Sequence, residues 1–109
     1  MIKNKLATIM ALNCLLIGSL LAVNATAADP EALAQKSGCL ACHSVDTKIV
    51  GPAYKEVAAK YKGDDKAAEM LAEKVLKGGS GVWGSIPMPP NATVSKEDAE
   101  TLVHWILQQ

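Results

Sequence analysis

Apolar residues recur at helical spacing in several separate stretches after position 28, and no stretch shows the strict alternation of a half-buried strand. The pattern therefore predicts four short helices. They run from a start at Asp29 to a stop at Gly38, over residues 54–61, over residues 66–77, and from Ser95 to about Ile106.

Two of these helices have a clear apolar face. In the third helix that face consists of Ala67, Ala68, Leu71 and Val75, with Glu69, Glu73 and Lys77 on the other side. In the last helix it consists of Ala99, Leu102, Val103 and Ile106, flanked by Trp105. The first helix has one sizeable apolar anchor, Leu33.

Residue types that favour helix starts and ends mark the boundaries of the first helix and the start of the last. Asp29 can cap the first helix, Pro30 fits its first position, and Gly38 can end it in the left-handed conformation. Ser95 and Asp98 form an approximate capping box before the last helix.

A long segment rich in glycine and proline, residues 78–94, joins the third and last helices. Ile86, Met88 and Pro89 each precede a proline, which pushes their backbone toward extended geometry. Loops of this length in a small domain are usually functional. We expect a stiff segment that presents Met88.

The start of the chain has the pattern of an export signal. Lys3 and Lys5 precede an apolar run, Leu6–Val23, and Ala25-Thr26-Ala27 has the small residues of a cleavage site. We expect residues 1–27 to be a cleavable signal peptide and residues 28–109 to form one domain. An uncleaved membrane anchor is the alternative, because the apolar run approaches spanning length. A lipid-modified Cys14 is disfavoured by the Asn13 before it.

Composition adds two constraints. The formal charge is zero, so nothing indicates binding to nucleic acid. The chain has no Phe, two Trp and two Tyr, which indicates that a bound group fills part of the interior. A domain of this size is near the lower limit for an unaided core, so the protein without that group is expected to be largely unfolded.

The central motif is Cys39-Leu40-Ala41-Cys42-His43, the attachment signature of a c-type haem. Two thiols at this spacing can add to the two vinyl groups of one haem, and the adjacent His becomes the proximal iron ligand. A redox dithiol and half of a zinc site are the alternatives. A dithiol enzyme expects a βαβ context that is missing here, and zinc lacks a fourth ligand.

Three side chains are candidates for the other face of the iron: Met70, Met88 and His104. Met88 is favoured by its stiff loop, although it can also serve packing. Met70 lies at the edge of a helix face and is expected to pack in the core, whereas His104 shares a polar face and is expected to point to water. Pro52 either forms a simple turn or offers its carbonyl to the His43 ring.

Three segments together resemble the small bacterial class I cytochromes c of the c-551/c-552 type: Gly38–His43, Val50–Tyr54 and Gly81–Asn91. The similarity extends over essentially all of residues 28–109. It implies an all-α fold of about four helices wrapped around one covalently bound haem.

The resemblance also implies roles for individual residues. Cys39 and Cys42 would form the thioether bonds, and His43 and Met88 would be the axial iron ligands. The Pro52 carbonyl would accept from His43, and Asn91 would lie near the Met88 sulfur. Trp83 would bond a haem propionate, as would Lys74, which stands where the family often has Arg.

The resemblance implies a monomeric electron carrier in the periplasm rather than an enzyme, without stable membrane association after signal cleavage. Its partners would be a quinol–cytochrome c reductase and a haem nitrite reductase or terminal oxidase. Lys36, Lys48 and Lys55 either form a docking patch for an acidic partner or are ordinary solvated lysines. A haem protein that binds small ligands, with Met88 leaving the iron, is the alternative function.

Overall fold

The protein has a helical architecture in a computed structural model that describes residues 18–19 and 29–109. The predicted export segment, residues 1–27, lies outside the described residues except for positions 18 and 19. The helices are α1 (Pro30–Lys36), α2 (Tyr54–Lys60), α3 (Ala67–Lys77) and α4 (Lys96–Ile106), with a short 3₁₀ turn over Cys39–Ala41. The four-helix prediction is confirmed, and residues 29–109 contain no strand.

The helix boundaries follow the expected capping residues. The Asp29 carboxylate accepts from the Glu31 N–H, and Pro30 occupies the first helical position. Gly38 has a φ of 78°, the left-handed conformation expected after α1. The Ser95 hydroxyl accepts from the Asp98 N–H at 3.0 Å and caps α4.

Helix α4 is the centre of the packing, because it contacts α1, α2 and α3. The buried cluster draws on α1, α3, α4 and the end of the long loop, and consists of Ala34, Ala72, Val75, Val94, Ala99, Leu102 and Val103. Leu102 and Val103 are its largest fully buried side chains. The core is therefore small.

The structure adds two details to the predicted core. Leu33 is half-buried and packs against the buried cluster as an apolar anchor, whereas its neighbour Ala34 is fully buried. In α3 the buried face includes Ala72, which we did not predict, and Leu71 is half-buried because it borders a cavity.

Met70 was also expected in the core, and this was wrong. Its side chain is 44% exposed on the outer side of α3. His104 is exposed on α4, as predicted.

Candidate haem site

A cavity of about 590 Å³ lies between the N-terminal motif and the long loop. All eight residues predicted for the haem site line it: Cys39, Cys42, His43, Pro52, Lys74, Trp83, Met88 and Asn91. The fold thus brings together residues as far apart in the sequence as Cys39 and Asn91. Neither Met70 nor His104 lines this cavity.

The two thiols are held on one tight turn. After the left-handed Gly38 the chain forms the 3₁₀ turn, in which the Cys42 N–H and the His43 N–H both donate to the Cys39 carbonyl, at 3.2 and 3.0 Å. Both cysteines are half-buried, and no disulfide joins them. The turn therefore presents the two sulfurs and the imidazole in close succession.

The His43 ring has a defined orientation. Its Nδ1 lies 2.8 Å from the Pro52 carbonyl oxygen. Because a carbonyl can only accept, Nδ1 carries the hydrogen and donates it, which leaves the lone pair of the neutral ring on Nε2. An imidazole in this tautomer can coordinate a metal ion through Nε2.

Gly51 is a part of the site that the sequence did not reveal, because Gly51-Pro52 reads equally well as a turn. A Cβ added to Gly51 would overlap the His43 ring, at 2.8 Å from Nδ1 and 3.0 Å from Nε2. The Gly51 N–H donates to the Cys42 carbonyl at 2.7 Å. Only glycine leaves room for the imidazole in this position.

Tyr54 packs on the same imidazole. The two rings are stacked with centroids 5.2 Å apart, and Trp105 meets Tyr54 edge-on at 5.4 Å. Burial raises the pKa of the Tyr54 phenol above its ordinary value. This aromatic row supports His43 from the side of α2 and α4.

The acidity of the Cys39 thiol does not fit a reactive dithiol. Burial, and to a smaller extent the neighbouring Cys42, raises the pKa of the Cys39 thiol. Reactive dithiols need a lowered thiol pKa. Residues 29–109 contain no group of three or more His, Cys, Asp or Glu side chains that could hold a bare metal ion.

Met88 is placed by hydrogen bonds between the loop and the end of α3. The Gly79 N–H donates to the Met88 carbonyl at 3.0 Å, and the Met88 N–H donates to the Gly79 carbonyl at 2.8 Å. The Asn91 N–H donates to the Val75 carbonyl at 3.0 Å. These bonds fix the backbone on both sides of the half-buried Met88.

Asn91 connects the loop to the N-terminal motif. Its side-chain amide donates to the Ser37 carbonyl at 3.0 Å, and its side-chain oxygen accepts from the Thr93 hydroxyl at 2.8 Å. The sequence did not predict the contact with Ser37. The amide has a second N–H, which is the one available for a group in the cavity.

Lys74 and Trp83 occupy the border of the cavity. Lys74 is half-buried and lies against the backbone of Gly79. Trp83 is 39% exposed, and the Lys60 ammonium lies 5.7 Å from its ring centroid. Nothing in the sequence pattern pointed to Lys60.

The three lysines considered for docking have different surroundings. Lys48 lines the cavity. Lys55 forms an ion pair with Asp46, and both side chains are exposed. Lys36 is exposed at the end of α1 and does not line the cavity. The structure therefore brings only Lys48 of the three to the cavity border.

The lining of the cavity fits a large, mostly apolar group. Five large apolar side chains of residues 29–109 that are exposed in the protein line the cavity: Ile49, Val50, Val82, Trp83 and Ile86. Such a concentration of exposed apolar surface usually marks a binding site. Lys48 and Lys74 are the charged residues of the lining apart from the titratable His43, and they suit the carboxylates of a haem.

Comparison with known proteins agrees with a haem-binding cavity. The family model for cytochrome c matches residues 27–109. The chain belongs to the cytochrome c family.

Its relatives are small monohaem cytochromes. The cytochrome c-551 of Pseudomonas aeruginosa is 55% identical over 98 residues, which is 90% of this chain and 93% of that protein. The cytochrome c-551 of Allochromatium vinosum is 63% identical over 75 residues, 69% of this chain and 80% of that protein.

The crystal structure of wild-type Nitrosomonas europaea cytochrome c552 superposes with a TM-score of 0.69 at 58% identity, and the match covers 71% of this chain and 95% of that one. The chain is thus a small class I cytochrome c of the c-551/c-552 type. As such it binds one haem c covalently, contains iron, transports electrons and exchanges them with redox protein partners.

Proposed function

We propose that this cytochrome c transfers electrons at a six-coordinate iron whose axial ligands are His43 and Met88. The observation that supports this most directly is the meeting of two thiols, an oriented imidazole and a thioether in one cavity. The bound haem supplies a one-electron iron couple. In the same proposal the Cys39 and Cys42 thiols form the two thioether bonds.

The surroundings of the two ligands favour electron transfer over catalysis. His43 is held by the Pro52 carbonyl, by Gly51 and by Tyr54, and Met88 by backbone hydrogen bonds to Gly79. If His43 and Met88 both hold the iron, no coordination site would remain for a substrate. A neutral thioether opposite imidazole also favours the reduced iron and raises the potential.

The other residues at the cavity border complete the site in this proposal. Trp83 and Lys74 donate to the haem propionates, and the second N–H of the Asn91 amide is available for the Met88 sulfur. The Asn91 contact with Ser37 supports this role, because it fixes the amide beside the loop.

We further propose that the protein is a periplasmic monomer and not an enzyme. The export pattern of residues 1–27 supports this location, with residues 28–109 as the mature domain. Among the described residues, no helix has the length and apolar character needed to cross a membrane. Its partners are a quinol–cytochrome c reductase as donor and a haem nitrite reductase or terminal oxidase as acceptor.

Visible spectroscopy of purified protein tests the axial ligands. Met88→Ala should abolish the far-red sulfur-to-iron band, lower the midpoint potential and allow added cyanide or imidazole to bind the iron. Met70→Ala is the matched control, since Met70 is exposed and away from the cavity, and it should change none of these.

An unchanged band and potential in Met88→Ala would reject Met88 as a ligand. Binding of added ligand by the resting wild-type protein would instead favour a ligand-binding haem protein. Alkaline pyridine spectra of the denatured protein show whether the haem is attached through thioether bonds, and Cys39→Ala should change that spectrum.

A further inference from the structure

The Lys60 ammonium lies close to two aromatic rings that belong to different parts of the fold. Its Nζ is 5.8 Å from the Tyr61 ring centroid and 5.7 Å from the Trp83 ring centroid. Lys60 is the last residue of α2, whereas Trp83 lies in the loop between α3 and α4. Both distances are within the range of cation–π attraction. This contact therefore joins α2 to the loop at the cavity border.

Trp83 lies on a turn whose own hydrogen bond orders the backbone rather than the side chain. Its side chain is 39% exposed, and the turn is closed by the Gly81 N–H donating to the Gly84 carbonyl at 2.8 Å. The side chain can still occupy several rotamers in such a turn. An ammonium group that is attracted to the ring favours one of them.

We propose that Lys60 is a positioning residue that holds the Trp83 indole at the cavity border, with its N–H directed to a haem carboxylate. This inference rests on the proposed haem-binding role of Trp83. Lys60 does not itself line the cavity, so it acts through the ring that it contacts. Tyr61 does line the cavity and provides the second face for the same ammonium.

The neighbouring lysine provides a matched control. Lys62 is exposed, two positions further on, and lies beside Asp64 and Asp65 in a separate surface groove. It carries the same charge as Lys60. A variant at Lys62 therefore measures the effect of losing one nearby positive charge without losing the contact with Trp83.

The test compares Lys60→Met, Lys60→Arg and Lys62→Met as reduced holoproteins. Hydrogen exchange of the Trp83 indole N–H is followed by NMR, with the Trp105 indole as internal reference. Lys60→Met should accelerate exchange at Trp83 about two- to fivefold, the factor that corresponds to an exposed cation–π contact. Lys60→Arg should restore the slow rate, because guanidinium also binds aromatic faces, and Lys62→Met should leave it unchanged.

The midpoint potential gives an independent readout. It should fall in Lys60→Met, return toward the wild-type value in Lys60→Arg, and fall less in Lys62→Met, because only the first variant releases the indole from the carboxylate.

Equal exchange rates in wild type and Lys60→Met would overturn the inference. If the haem spectrum stays intact in that case, the His43 and Met88 assignment is unaffected. Fast exchange at Trp83 already in the wild type would instead reject the role of Trp83 on which the inference rests. Lys60→Gln provides a second neutral variant, with the same outcomes expected.

Discussion

At the scale of single residues, the imidazole of His43 is confined by three neighbours. The Pro52 carbonyl fixes its Nδ1–H, Tyr54 stacks on its ring, and Gly51 approaches it without a side chain. Each contact removes one way for the ring to rotate. Together they direct Nε2 to the cavity without help from a charged partner.

Gly51→Ala tests this confinement. A methyl group would overlap the ring, so we expect a loss of about 1–3 kcal/mol in the free energy of unfolding, as for other overpacked sites. Guanidinium unfolding of the holoprotein measures the loss, and NMR of the His43 ring reports its reorientation. Replacing glycine by alanine where the backbone tolerates it otherwise stabilises a protein, so a gain in stability would show that the ring is not confined.

At the scale of elements, the loop that carries Met88 is attached directly to the end of α3. Gly78 ends that helix with a φ of 70°, and its neighbour Gly79 exchanges two hydrogen bonds with Met88. A Cβ on Gly78 would overlap the Met88 carbonyl oxygen and lie 2.8 Å from the Pro90 nitrogen. The backbone conformation at the end of α3 therefore fixes the position of the Met88 backbone.

Two glycine variants separate conformational cost from steric cost. Gly63 has a φ of 80° with open space around it, so Gly63→Ala should cost about 1 kcal/mol of unfolding free energy. Gly78→Ala adds the steric overlap and should cost roughly 3 kcal/mol. Chemical unfolding compares the two, and Gly78→Ala should also shift the far-red band. Equal costs with an unchanged band would contradict the attachment of the loop to α3.

The end of α3 also carries an exposed ion pair. The Lys77 ammonium lies 2.6 Å from the Glu73 carboxylate, which lowers the pKa of Glu73 and raises that of Lys77. A carboxyl group whose pKa is lower in the folded protein than in the unfolded chain stabilises the fold at pH values above its ordinary pKa of 4.5. This stabilisation is lost as the pH falls from 4.5 through the lowered pKa of the folded protein.

Glu73→Gln should therefore reduce stability slightly at pH 7 and not at pH 3. The difference at pH 7 should shrink in high salt, because both side chains are exposed. Glu73→Gln in a Lys77→Met background is the control and should show no such pH dependence, because the partner ammonium is already gone. Denaturant titrations at the two pH values measure both variants, and a destabilisation of Glu73→Gln that persists at pH 3 would rule out the ion pair as its cause.

At the scale of the whole molecule, the protein core is completed by its cofactor. Only Leu102 and Val103 are large and fully buried among the described residues, whereas apolar side chains such as Ile86, 67% exposed, border the cavity. Covering that surface with a porphyrin contributes on the order of 10 kcal/mol as an upper estimate.

The protein without haem should consequently lose most of its helical structure. Far-ultraviolet circular dichroism of a Cys39→Ala, Cys42→Ala double variant freed of haem should show a large loss of the helical signal at neutral pH. The holoprotein under the same conditions is the reference. Full native helicity without haem would show that the packing of α4 against α1, α2 and α3 is sufficient by itself.

The sequence alone determined the helices, their ends and the chemistry of the haem motif. These features are local: caps such as Asp29 and Ser95 act within three residues, and the two thiols and His43 lie within five positions. Local spacing specifies such contacts almost completely. The stiff loop also pointed to Met88, and Pro52 was one of two readings of its turn. The resemblance added Lys74, Trp83 and Asn91, and all five residues line one cavity.

Only the tertiary structure decided the contacts between distant segments. Ala34 is fully buried while Leu33 is only half-buried, Asn91 bonds to Ser37 across 54 positions, and Lys60 reaches Trp83. Each of these contacts depends on the distance and angle at which two elements pack. The residue pattern of one element does not indicate which residues of another element it will contact. Gly51 belongs with them, because a glycine in a turn and a glycine beneath a ring look the same in sequence.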